Sequence, residues 1–345
     1  MHKEALVITG ANGEIGHGLI EYLGKDRQKK IIANDLQELD PSLKCKVDIF
    51  LQGDVVDPQL FEKVAEEFTI TTVFHLASIL STKAEQNPEL AHRVNIEGTL
   101  NLFKLAVRVF EETKRPVKFL YPSSIAVYGL PDLEIRAKVG KVKEKEFCFP
   151  TTMYGCNKLY CEQLGRYFSN HYRQLQVREN HRPLDFRGLR FPGLISAATI
   201  PTGGTSDYGP EMLHAAARNE PYACFVRPDT QLPFMVMPDA IKALIHLEQA
   251  QREELTRSTY NVTSFHPTAQ EIYEVTKKAF PGCMIRFEPQ AARQGIVDSW
   301  PADIDDAAAR RDWHWVPDYD QERAFEDYLI PAVKARYAIP QRKGC

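Results

Sequence analysis

Tyr154 and Lys158 stand four residues apart in MYGCNK, a spacing that puts both on one face of a helix. A phenol with an ordinary pKa of about 10 is a poor base at neutral pH, and a neighbouring ammonium favours its ionised form. Ser123 and Ser124 close the apolar run VKFLYP upstream. A strand-end hydroxyl can hold a substrate oxygen while a tyrosinate removes its proton. Each residue type alone is unremarkable, because tyrosines and lysines often share surface helix faces and serines often end strands. The order in which they follow a phosphate loop is what points to proton transfer.

That loop is GANGEIG, which follows ALVIT and places Gly10, Gly13 and Gly16 between an expected strand and an expected helix. Glycines there permit a tight turn and close backbone approach to a pyrophosphate, and the helix N-terminus favours the anion. Asp35 closes the next strand, where a carboxylate accepts from adenosine ribose hydroxyls and repels a 2′-phosphate. With no arginine directly after it in NDLQELD, NAD is favoured over NADP. Asp54 in GDVVD suits the adenine edge, or else simply starts a helix. Ala77 in HLAS is small enough for the cofactor to lie against backbone, with Asn95 supporting that loop.

The elements that must hold these groups alternate apolar strands with helical stretches, implying a parallel sheet covered on both faces. The expected fold is α/β, a Rossmann-type doubly wound parallel sheet with an interleaved small C-terminal α/β substrate lobe. Residues 1–190 form the NAD-binding domain and 191–345 mainly the substrate lobe, with segments near 210–250 returning to the large domain. PDLEIRAKVGKVKEKEFCF, residues 131–149, lacks periodicity and reads as a loop. A helix is expected from Met153 to His171, then the strand LDFRGLRF. PGLISAATIPTGGTSDY reads as a ligand loop beyond that strand's end.

Composition narrows the function classes. Forty-three Lys and Arg against 46 Asp and Glu leave a net charge of −3 over 345 residues, which disfavours a nucleic-acid binder. No apolar run is long enough to cross a membrane. The seven cysteines are scattered without a CxxC pair, as expected of reduced thiols, and the ten histidines show no metal-ligand spacing. No metal is expected. The N-terminus leaves no room for a signal peptide, so the cytoplasm is expected, or the mitochondrial matrix for a processed chain.

GANGEIG, Asp35, HLAS, Asn95, PSSIAVYG and YGCNK together resemble the extended short-chain dehydrogenase/reductase superfamily. The resemblance implies Ser124 as the catalytic hydroxyl, with Ser123 the less favoured neighbour, Tyr154 as acid/base, and Lys158 as the group that lowers its pKa and contacts the nicotinamide ribose. It implies NAD contacts at Asn12, Glu14 and Ile15 beside the three glycines. Further contacts are implied at Asp35, Leu36, Asp54, Val55, Leu76, Ala77, Ser78, Asn95, Tyr154, Lys158 and Pro192, with Gly193 beside it. Ser124-Ile125-Ala126 lacks the acid pair of the dehydratase branch.

LRFPGLIS, PTGGTSDY, LPFMVMPDAIKALI, YNVTSFHPTAQEI and GIVDSWPADIDD resemble the metal-independent, short-chain threonine dehydrogenases of that superfamily. This implies oxidation of the L-threonine β-hydroxyl to 2-amino-3-oxobutanoate with formation of NADH, in a homodimer. Ser81, Ser124, Tyr154 and Thr205 would contact the amino acid, Trp300 would close the pocket, and Asp207 would order its loop. Arg178, Arg187 and Arg190 are weaker carboxylate candidates, two of them in or beside a strand whose surface they could serve. Phe191, where tyrosine is more usual, and Cys156-Asn157, where smaller residues are, depart from the pattern. The competing readings are an NAD-dependent nucleotide-sugar 4-epimerase and a noncatalytic NAD-sensing protein.

Overall fold

The computed structural model describes residues 3–25, 29–176, 181–197, 199–201 and 203–338. Along the chain come strands β1 (Lys3–Thr9), β2 (Lys30–Asp35), β3 (Ile49–Gln52), β4 (Phe68–His75) and β5 (Val117–Ser124), the short β6 (Lys141–Val142), and β7 (Leu184–Phe191). Then follow β8 (Gly193–Ile195), β9 (Tyr222–Cys224), β10 (Phe234–Val236), β11 (Thr259–Asn261), β12 (Ile285–Phe287) and β13 (Asp303–Ile304). Seven of them form one parallel sheet in the order β11-β7-β5-β4-β1-β2-β3. The order reverses beside β1, so β1 and β4 flank the crevice where such sheets take their ligands.

Successive strand residues serve opposite faces. Leu6 and Ile8 join Ile31 and Ala33 in one core with the helix Met237–Gln249, whereas Ala5 and Val7 join Ile32 and Val73 in another with the helix Gly98–Thr113. Both faces are thus dry, which is why the strands read as nearly continuous apolar runs. A third core, containing Tyr208, Phe225, Phe234 and Phe325, fills the C-terminal lobe. Its two-stranded pieces are parallel: β8 with β10, β9 with β12, and β6 with β13.

Residues 131–149 are not simply a loop. Asp132 accepts from the Ile135 amide and caps a helix over Leu133–Val139, which stops at Gly140 with φ +64°, and β6 follows. None of that helix is buried, so it carries no apolar stripe for periodicity to detect.

Candidate active site

The phosphate loop leaves β1 through Gly10, whose φ of +69° favours glycine. A Cβ there would come within 2.7 Å of the Ala77 amide nitrogen, so the loop lies directly on the segment leaving β4. Gly13 precedes the helix Glu14–Leu23 and offers no side-chain cap, leaving the first-turn amides of Glu14, Ile15 and Gly16 with none. That is the donor set an anion at a helix N-terminus uses. Asp35, half-buried at the end of β2, accepts from the Asn12 amide at 2.9 Å and the Gln37 amide at 3.2 Å. Its carboxylate is fixed with acceptor capacity to spare for a diol. These features fit a dinucleotide. Leu36 and Asp54 are exposed and Val55 buried beside them; the Asp54 carboxylate accepts from the Val56 amide.

Asn95 supports the loop that leaves β4. Its Oδ1 accepts from the Ser78 hydroxyl at 3.0 Å and the Ile79 amide at 2.8 Å, and its Nδ2 donates to the Ile79 carbonyl and Asn157 Oδ1. With its side chain committed to four protein contacts and only 2% exposed, it shapes the Leu76–Ile79 segment. It lies in a π-helical turn, Arg93–Glu97, ahead of the helix Gly98–Thr113.

The strand end and the helix Met153–Asn170 meet at Ser124, Tyr154 and Lys158. Thr152 caps this helix by accepting from the Gly155 amide. A Cβ on Gly155 would fall 2.0 Å from the Ala126 carbonyl oxygen, so only glycine lets the helix sit this close to the segment after Ser124. Ser124 ends β5; its Oγ accepts from the Ala126 amide at 3.1 Å and lies close enough to the Tyr154 phenol to pull its pKa down. Lys158 is buried, donates to the Pro122 carbonyl at 2.7 Å, and sits 5.4 Å from the Tyr154 ring centroid.

Within the protein's own groups, burial pushes the Tyr154 phenol well above its usual value and Ser124 pulls it back only in part. This differs from the expected lowering by Lys158. The ammonium is itself desolvated, and burial brings its pKa down to about 8.

Beside this corner the start of the helix Ser81–Gln86 meets the loop at residues 203–207. The Thr205 amide donates to Ser81 Oγ at 3.4 Å, and Thr82 Oγ1 donates to the Gly203 carbonyl at 2.8 Å. Asp207 orders the loop by accepting from the Gly204 amide at 2.6 Å. Thr199 donates to Glu14, tying the same loop to the phosphate-loop helix, and burial raises the Glu14 pKa. Pro192 is buried between β7 and β8. Trp300 is 4% exposed within the lobe core near Ile125, Ala126 and Tyr128; its carbonyl accepts from Arg136 Nε, and its indole nitrogen has no hydrogen-bond partner among the described residues.

The arginine candidates are not surface groups. Arg187 and Arg190 are 2% and 3% exposed and ion-paired to Asp185 and Glu162; Arg178 lies outside the described residues. Glu162 went unnoticed in the sequence, although Tyr154, Lys158 and Glu162 repeat at every fourth residue along one helix. Among the described residues no group of three or more His, Cys, Asp or Glu could hold a metal ion, and no helix is long and apolar enough to cross a membrane.

A profile of the NAD dependent epimerase/dehydratase family matches residues 6–263. The chain belongs to that family. It is similar to a mitochondrial L-threonine 3-dehydrogenase of Bos taurus, 32% identical over 326 residues, spanning 92% of this chain and 80% of the bovine one. The solved L-threonine dehydrogenase of Clostridium difficile superposes with a TM-score of 0.84 at 31% identity, covering 98% of this chain and 99% of that one. A monomeric L-threonine 3-dehydrogenase from a metagenome gives 0.82 at 34% identity, covering 96% and 99%. This family member is therefore an NAD-dependent oxidoreductase, homologous to the L-threonine 3-dehydrogenases over nearly its whole length.

Proposed function

We propose that this enzyme oxidises L-threonine at its β-hydroxyl, giving 2-amino-3-oxobutanoate and NADH. Bound NAD supplies the acceptor for the hydride that leaves the β-carbon. Ser124 holds the substrate hydroxyl and Tyr154 takes its proton. The buried Lys158 ammonium stands behind the phenol and favours the tyrosinate. Glu14, Ile15 and Gly16 would hold the pyrophosphate through their amides, and Asp35 the adenosine ribose. Ser81 and Thr205 would receive the amino-acid head, with Trp300 backing the pocket.

The observation that carries this reading is the meeting of Ser124, Tyr154 and Lys158 at one strand end, beside the Ser81–Thr205 contact. Similarity to threonine dehydrogenases along almost the entire chain supports the substrate. We read residues 1–190 as the NAD-binding domain and 191–345 as mainly the substrate lobe. We place the enzyme in the cytoplasm or the mitochondrial matrix, where its thiols stay reduced.

NADH absorbance with L-threonine and NAD should rise, and should rise far less with NADP, with L-serine, or with a UDP-sugar in place of threonine. No threonine-dependent NADH would overturn the assignment. Tyr154→Phe should lower turnover by on the order of 100- to 10,000-fold while NAD still binds, as expected for loss of a general base. We further propose a homodimer through the helices Gly98–Thr113 and Met153–Asn170, the second of which exposes Tyr160 and Tyr167. Light scattering decides between this and the monomeric state of the metagenomic relative.

A further inference from the structure

We propose that Glu162 is a positioning residue for the proton-transfer site, acting through Ser123 and held in place by Arg190. The proposal rests on the reading that Ser124, Tyr154 and Lys158 move the substrate proton.

Tyr154, Lys158 and Glu162 occupy successive turns of one helix face, and each meets a different member of three consecutive residues at the end of β5. Tyr154 lies beside Ser124, Lys158 bonds the Pro122 carbonyl, and the Ser123 hydroxyl donates to Glu162 Oε1 at 2.5 Å. Ser123 and Ser124 point to opposite sides of the strand. Ser124 can face the pocket because Ser123 anchors the strand end from behind. The need for an anchor is local: β5 stops at Ser124 and the chain enters a short 3-10 turn at once.

Arg190 makes the anchor rigid. It lies opposite Ser123 in the β5–β7 register, and its Nε and Nη2 donate to the two Glu162 oxygens at 2.9 and 2.6 Å. Ser123, Glu162 and Arg190 are each 2–3% exposed. A carboxylate engaged on both oxygens by a guanidinium fork has one orientation, and being an acceptor only, it obliges Ser123 to donate. From the same guanidinium, Nη1 donates to Tyr128 Oη at 2.9 Å and the Glu144 carbonyl at 2.8 Å, and Tyr128 donates to Asn261 on β11. The strand end is thereby fixed relative to elements packed on two sides of it.

The test compares Glu162→Gln, Ser123→Ala and the double variant with the wild type, using L-threonine and NAD. Glu162→Gln should lower kcat on the order of 10- to 100-fold, the scale of a small misplacement of reacting groups, with the Kd for NAD unchanged. The primary isotope effect on kcat with β-deuterated threonine should increase, because the hydride step becomes more fully rate-limiting. Glu162→Gln gives up the charge and one of the two accepting oxygens, and Ser123→Ala removes the donor, so both act on the same contact and the double variant should be slower by less than the product of the two single effects. A folded Glu162→Gln enzyme with kcat within about twofold of wild type, or effects that simply multiply, overturns the proposal.

If Glu162→Gln does not fold, Ser123→Ala decides: it keeps the ion pair and should still slow kcat and raise the isotope effect. Wild-type kinetics from it would overturn the proposal. If the wild type itself does not oxidise threonine, the functional reading fails separately. Hydrogen exchange of residues 120–128 then judges the anchor, which predicts faster exchange in Ser123→Ala and is refuted by an unchanged rate.

Discussion

Two buried arginines on β7, three residues apart, form ion pairs of the same chemistry and hold different things. Arg187 donates twice to Asp185 Oδ2 on its own strand, at 3.0 and 2.6 Å. Its Nη1 reaches the carbonyls of Leu247, Glu248 and Ala250, at the end of the helix Met237–Gln249. It satisfies carbonyls a helix terminus leaves open, where a cation is also favoured. Arg190 turns to the other side, toward Glu162, Ser123 and the strand end that carries Ser124. Burial and pairing therefore do not distinguish a fold-stabilising arginine from a site-positioning one. What distinguishes them is which backbone each holds still.

Breaking the Arg187 contacts should give the largest loss of stability. Arg187→Met leaves the buried Asp185 with only the more exposed Arg252 as a cation partner, and the Leu247 and Ala250 carbonyls without this donor, destabilising by roughly 3–5 kcal/mol. Denaturant titration reads that loss, while kcat per folded molecule at low temperature should stay near wild type.

A buried histidine on β4 adds a contrast by pH. His75 hydrogen-bonds Thr9 and Thr99 at 2.7 and 3.0 Å, and burial, then the Lys158 charge, lowers its pKa to about 3. Its unfolded value is higher, so the unfolded chain takes up the proton first as pH falls. Its contribution is intact above about pH 6.5 and drains away toward pH 3, by at most ~4 kcal/mol. His75→Asn should flatten the stability curve in that window, as followed by denaturant midpoints.

Arg190→Lys should do the reverse of Arg187→Met. A lysine keeps the charge but loses the fork, so kcat should fall about 10-fold with a smaller change in stability. The smallest effect is expected from Ser81→Ala. Loss of one amino-acid contact should raise KM for threonine several-fold, on the order of 1 kcal/mol, and leave the denaturation midpoint in place.

The legible parts of this molecule were those written locally. ALVIT and GANGEIG are contiguous, and the strand, turn and helix they form need no distant partner to be recognised. Tyr154 and Lys158 share a helix turn and were equally readable. The helix Leu133–Val139 was missed because its residues lie at the surface, although Asp132 before it and Gly140 after it are capping signals. Glu162 was missed for another reason: its partner Ser123 is remote in sequence, and the partnership exists only once β5, β7 and the intervening helix are in register. Asn95 was readable as a support for the loop after β4, but its partners Ser78, Ile79 and Asn157 become definite only where four contacts converge.

β11 pairs with the far side of β7 through Thr259, Tyr260 and Asn261. During synthesis β7 leaves the ribosome long before β11, since residues 192–258 must be made first. Until then the growing chain carries an unpaired parallel edge whose neighbour, β5, bears Ser124. An exposed edge of this kind invites pairing with another nascent chain. The corner formed by Ser124, Tyr154 and Lys158 therefore becomes secure late in translation, and a chain shortened before residue 259 would present that edge permanently, an aggregation hazard built into the order of its strands.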